Sequence, residues 1–170
     1  MRSTVAIAML AASALVAFPA SSLSAQVRRA AVVKPTPLLA LALNDLEFST
    51  VLPGVATSVP VHDPRHAGLF EIQGPPDGSV RVEFVLPAAL SSDGGALLPI
   101  SFGPGDGFAD FSRGRPPRGL LFDPHAPVTG TLGPNGRLFV RMGGTVLPAP
   151  LQAGGAYRAT IFLTVYDLGS

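Results

Sequence analysis

The placement of glycine and proline excludes most helical folds for this chain. Nineteen Gly and eighteen Pro are scattered through 170 residues. Past residue 25, no helix-length stretch free of both carries an amphipathic pattern. Within a helix, glycine costs about 1 kcal/mol and proline about 3 kcal/mol relative to alanine. What survives between them is short runs that alternate with period two. Successive strand side chains point to opposite faces, so such a run describes a strand with one buried and one wetter side.

Three runs are clear. Val80, Val82, Phe84 and Leu86 share one face, with Arg81 and Glu83 on the other. Leu138, Val140 and Met142 alternate with Arg137, Phe139 and Arg141. Near the C-terminus, Tyr157, Ala159, Ile161, Leu163 and Val165 oppose Arg158, Thr160, Phe162, Thr164 and Tyr166. The pattern predicts a core of Val82, Phe84, Leu138, Val140, Ile161 and Leu163. It also predicts one strand over 156–166, paired inside the domain, with Tyr157 in the core and Phe162 packing on the second face. Weaker runs lie at 38–43, 46–52, 55–61, 68–73, 97–103, 128–132 and 144–147. Turn signals such as "LPG", "PPDG", "SDGG" and "GPNG" separate them. Many short strands at this spacing indicate an all-β sandwich or barrel.

Two regions do not read as strands. Residues 104–127, "PGDGFADFSRGRPPRGLLFDPHAP", form a Pro/Gly-rich excursion too long for a neutral connection. Residues 26–37, "QVRRAAVVKPTP", continue an alternating register into Leu39, Leu41 and Leu43. Pro35 and Pro37 lack N–H groups on the same side of that segment, which suits an edge strand or a linker.

The first 25 residues have a different character. Arg2 precedes an apolar run from Val5 to about Phe18, and small residues follow as far as Ala25. That is the layout of a secretory signal peptide, and the run is shorter than the roughly 20 residues that span a bilayer. No cysteine follows to carry a lipid anchor. Cleavage after Ala25 takes 25 residues from 170 and leaves 145, the length of one domain. With no cysteine, its stability must come from packing alone. Of twelve Lys and Arg and eleven Asp and Glu, the leader holds only Arg2, so the remaining charges balance. Balanced charge supplies no electrostatic reason to bind nucleic acid or an anionic membrane.

Candidate chemistry is sparse. "HDPRH" brings His62, Asp63 and His66 close in sequence, and a folded loop would be needed to join them to Asp123 and His125 of "FDPH". Pro64 argues against the helix that would align the two histidines on one metal, and they read as ordinary loop residues. Asp106 and Asp110 are spaced unlike any calcium loop. "GPGDGF" opens no helix that would cradle a phosphate. There is no G-x-S-x-G elbow and no thiol nucleophile. Arg113, Arg115 and Arg118 offer bidentate donors to an anionic glycan, although a solvated loop is the simpler account of them. No catalytic, cofactor-binding or metal-binding residue is assigned.

Several segments in order resemble an exported bacterial family known as a domain of unknown function, distantly similar to spore coat protein U and to chaperone–usher pilin subunits. They are "LEFSTVLPG" (46–54), "GLFEIQGPPDGSVRVEFVLPAAL" (68–90), "LPISFGP" (98–104), "FDPHAPVT" (122–129), "GRLFVRMGGTVLPAPLQAGGAY" (136–157) and "ATIFLTV" (159–165). The chain departs from the pattern at Ser49, where glycine follows the Phe, and in its last residues, "VYDLGS". The resemblance implies an immunoglobulin-like, pilin-like antiparallel sandwich over residues 38–170, outside the cytoplasm. It implies a non-enzymatic structural or adhesive envelope protein that pairs strands with like subunits or a periplasmic chaperone. The 26–37 segment would then be linker or donor. The competing expectation is a monomeric secreted module that binds a glycan or envelope protein through the 104–127 loop.

Overall fold

A computed structural model describes residues 37–110 and 119–169 of the chain. The leader, the 26–36 segment and the three arginines of the 104–127 region lie outside the described residues. Thirteen strands and no helix occur among the described residues. The strands are β1 (Leu39–Asn44), β2 (Thr57–Val59), β3 (Gly68–Gln73), β4 (Ser79–Val85), β5 (Ala89–Ser92), β6 (Leu97–Ser101) and β7 (Gly107–Asp110). They continue as β8 (Gly119–Phe122), β9 (Val128–Thr131), β10 (Arg137–Met142), β11 (Gly144–Val146), β12 (Tyr157–Arg158) and β13 (Phe162–Gly169). All pairings are antiparallel, in three sheets ordered β1-β3-β10-β7-β8, β12-β5-β6-β11-β2 and β13-β4-β9.

The molecule is an antiparallel β-sandwich. The alternation read from the sequence sorts the side chains onto its faces. Phe70, Ile72, Leu138, Val140 and Phe122 come from the first sheet and meet Val80, Val82, Phe84, Leu163 and Val165 from the third. Ile72 and Val140 are wholly buried. Burying a side chain of this size contributes about 1.5–3 kcal/mol, so this shared layer accounts for the face-to-face packing. A smaller layer of Val59, Leu98, Phe102 and Val146 lies under the second sheet and its flanks.

Strands pass between sheets at corners, a device that sandwiches use to turn one layer into another. β10 ends at Met142 and β11 begins at Gly144, in a different sheet, with Gly143 alone between them. A Cβ on Gly143 would lie 2.6 Å from the Val59 carbonyl oxygen and 2.9 Å from the Val61 nitrogen, so the corner requires glycine.

Three expectations are corrected. The excursion is not strandless: β7 and β8 form an antiparallel pair within the first sheet, Gly107 opposite Phe122 and Asp110 opposite Gly119. Glycines that read as loop punctuation let these strands pack. A Cβ on Gly107 would sit 2.5 Å from the Phe122 ring. Next, the terminal run is two strands, because Tyr157 and Arg158 pair with β5 while Phe162 onward pairs with β4. Ile161 falls in the irregular link and is half-buried rather than part of the central core. Finally, residues 46–52 form no strand and instead border a groove.

Candidate functional site

The histidine motifs turn out to be turn-forming devices. Asp63 Oδ1 accepts hydrogen bonds from the backbone N–H of Arg65 (2.8 Å) and of His66 (3.1 Å). Its Oδ2 lies 2.9 Å from His66 Nδ1. Asp123 repeats the arrangement, with Oδ1 2.9 Å from the His125 N–H and 3.0 Å from its Nδ1. Such Asx turns follow from a short acceptor side chain placed before proline, which pre-sets the next φ. The backbone donors, then the histidine rings, hold both carboxyls below the ordinary aspartate value. His62 instead packs edge-on against Phe108, with ring centroids 4.8 Å apart. His125 stands edge-on to Phe102 at 6.4 Å. Among the described residues no three His, Asp or Glu side chains converge on a point where a metal ion would sit. Asp106 closes its own turn by accepting the Gly103 N–H, and Asp110 is buried in β7.

The concave part of the molecule lies elsewhere. Two adjoining hollows of 530 and 550 Å³ share Leu46, Glu47, Phe48, Leu90 and Tyr157 along their walls. One side is the irregular 46–53 segment, and the other is the stretch around Tyr157. Tyr157 does not fill the core as expected. Its hydroxyl donates to the Ala153 carbonyl (2.6 Å) and accepts from Gln152 Nε2 (2.8 Å), pinning the 152–157 loop in place. Gln152 Nε2 also reaches the Leu97 carbonyl at 3.0 Å, tying that loop to β6. Leu98 and Val146 form an apolar floor to one hollow, while Asp45, Glu47 and Arg158 border the other.

β1 adjoins this groove through Ala42 and Asn44 and is a sheet edge, as is β13. Among the described residues β1 pairs only with β3, Leu41 opposite Glu71 and Ala42 opposite Phe70. All six of its residues are exposed, Leu39, Leu41 and Leu43 among them. Among the described residues β13 likewise pairs only with β4, Phe162 opposite Val85 and Tyr166 opposite Arg81. The prolines ahead of β1 pointed to an edge for that segment, whereas nothing in the alternation marked β13 as one.

Compared with known families, curated proteins and solved structures, the chain matches none. Among the described residues no helix is long and apolar enough to cross a membrane.

Proposed function

We propose that this chain is an exported, non-enzymatic structural or adhesive component of a bacterial cell envelope. It is a pilin-like subunit with an immunoglobulin-like sandwich that assembles by β-strand addition. The observation that carries this reading is β1. It is an N-terminal edge strand held by its ladder to β3, its leucines remain open to solvent, and no hairpin joins it to its partner. The chain between them runs from Asp45 to Ala67 and includes β2. A terminal strand of this kind can occupy the edge of its own β3 or that of a neighbour, because main-chain hydrogen bonds supply the affinity and alternate side chains the register. The groove adjoins Ala42 and Asn44 of β1, so an incoming extended segment would have a hollow of mixed apolar and charged lining beside that edge.

The test is to make the mature chain with its own secretion machinery, intact and lacking residues 26–37. The deletion is expected to keep the folded monomer, since it stops short of β1, and to abolish high-mass assemblies. Identical size distributions for the two proteins would remove strand addition as the function.

A further inference from the structure

Edges of natural sheets are kept from pairing with other chains by short length, proline, bulges or charge. Nearly every edge strand among the described residues carries such a device. β2 has three residues and runs into Pro60, β12 has two, and β8 has four. β9 has four residues and follows Pro127. β1 breaks register between Ala42 and Asn44 and follows Pro37.

β13 is the exception. It has eight residues, no proline and no cation; its one acid, Asp167, and its one register irregularity, between Asp167 and Gly169, both lie near its far end and leave 162–166 regular. One side of β13 is hydrogen-bonded to β4, and among the described residues no strand pairs with the other. Its outward face presents Phe162, Thr164 and Tyr166, with Phe162 61% exposed. On its inward face Leu163 and Val165 pack on the core yet stay half-buried, because the sheet stops at this strand.

We propose that two copies of this chain form a symmetric dimer by antiparallel pairing of β13 with β13, Thr164 opposite Thr164. Strand side chains alternate with period two, so only slips by two residues keep the inward faces together. With Thr164 at the dyad, Phe162 meets the partner's Tyr166 and Leu163 meets the partner's Val165, each twice. The five positions 162–166 all lie within β13, and no charge enters the paired stretch. Slipping two residues one way sets Asp167 opposite Leu163. Slipping the other way leaves only positions 162–164 of β13 paired with one another. The central register is therefore the self-complementary one.

Neighbouring side chains suit the joint. The Arg81 guanidinium stacks 4.9 Å above the Tyr166 ring and is ion-paired to Glu83 at 2.6 Å, so this cation is already engaged on its own strand. Glu83 lies beside Thr164 in the ladder, leaving two threonines between the two glutamates. The product is one six-stranded sheet in which Leu163 and Val165 are covered by their counterparts. This inference is independent of strand addition through β1.

The absence of cysteine makes the register directly testable. Cβ atoms directly opposite in an antiparallel pair lie about 4.5–5.5 Å apart, close enough for an introduced cysteine pair to oxidise with little backbone movement. In the mature full-length protein, Thr164→Cys is expected to give a covalent dimer on mild oxidation. Phe162→Cys or Tyr166→Cys alone is expected to stay uncrosslinked, and their mixture to crosslink. Thr164→Lys sets two like charges face to face and is expected to sediment as monomer, as is Thr164→Glu; mixing the two should restore the dimer. Circular dichroism of each variant checks that the sandwich persists. A monomeric wild-type protein in sedimentation, or Phe162→Cys crosslinking as readily as Thr164→Cys, overturns the proposal. Should the cysteine variants misfold, the Lys/Glu mixture decides by itself. The 26–37 deletion is expected to leave this dimer intact, which separates its failure from that of strand addition.

Discussion

Ser49 sits in the left-handed region with φ of 51°, at the position where the resembled pattern has glycine. A side chain there forces Cβ toward the following carbonyl, at a cost of roughly 1–2 kcal/mol that glycine does not incur. Glycine is also freer in the unfolded chain, which offsets part of the gain. Ser49→Gly is therefore expected to stabilise the fold by about 0.5–1 kcal/mol, read as a raised urea midpoint with an unchanged slope. Asp63 and Asp123 make the complementary case, in which the side chain suits its turn. Both carboxyls are held below the ordinary aspartate value, first by backbone N–H donors and then by a histidine ring. The folded state thus takes up these protons at lower pH than the unfolded state does. Their stabilisation is complete above the unfolded value, about 3.9, and is lost as pH falls through the lower folded value. Urea midpoints measured from pH 6 downward should fall below about pH 4. The Asp63→Asn, Asp123→Asn double variant, which keeps the Oδ1 acceptors, should show a shallower fall.

Among the elements, the third sheet shows how far alternation reaches. The parity of β4 and β13 is as the sequence reads: Val82, Leu163 and Val165 point inward, and Phe162 and Tyr166 outward. Yet the terminal run breaks at 159–161, where the chain leaves β5's sheet for β4's. Parity survives such a break, whereas burial does not. Ile72→Ala is expected to cost about 2–5 kcal/mol, because a wholly buried side chain leaves a cavity as well as a transfer loss. Ile161→Ala, half-buried beside the groove, should cost about 1 kcal/mol by lost contact area alone. Denaturant titration of the two variants separates these values, and equal costs would put Ile161 in the core. β7 and β8 escaped notice because four residues carry too little alternation to stand out, and because each begins with glycine.

Taken whole, the molecule is a sandwich stabilised without cysteine, its core shared between sheets that exchange strands at corners. The export reading belongs at this scale, since it concerns where the domain folds. Protein recovered from outside the cytoplasm is expected to begin at Gln26, checked by mass spectrometry of the intact chain. A species retaining Met1 would count against the leader. By itself the sequence determined the all-β class, the inward parity of β4, β10 and β13, and the turns that separate the strands. Each of these follows from a local rule: alternation across a pleat, or the backbone that Gly and Pro permit. That β13 lies at an edge, where a run changes sheets, and that 46–53 and 152–157 border a groove were decided only by tertiary structure. These depend on which distant strand pairs on each side, and a strand's own residues do not encode its neighbour. The corner at Gly143 shows the same division: its glycine is plain in the sequence, while the Val59 and Val61 backbone that makes it necessary arrives from more than eighty residues away.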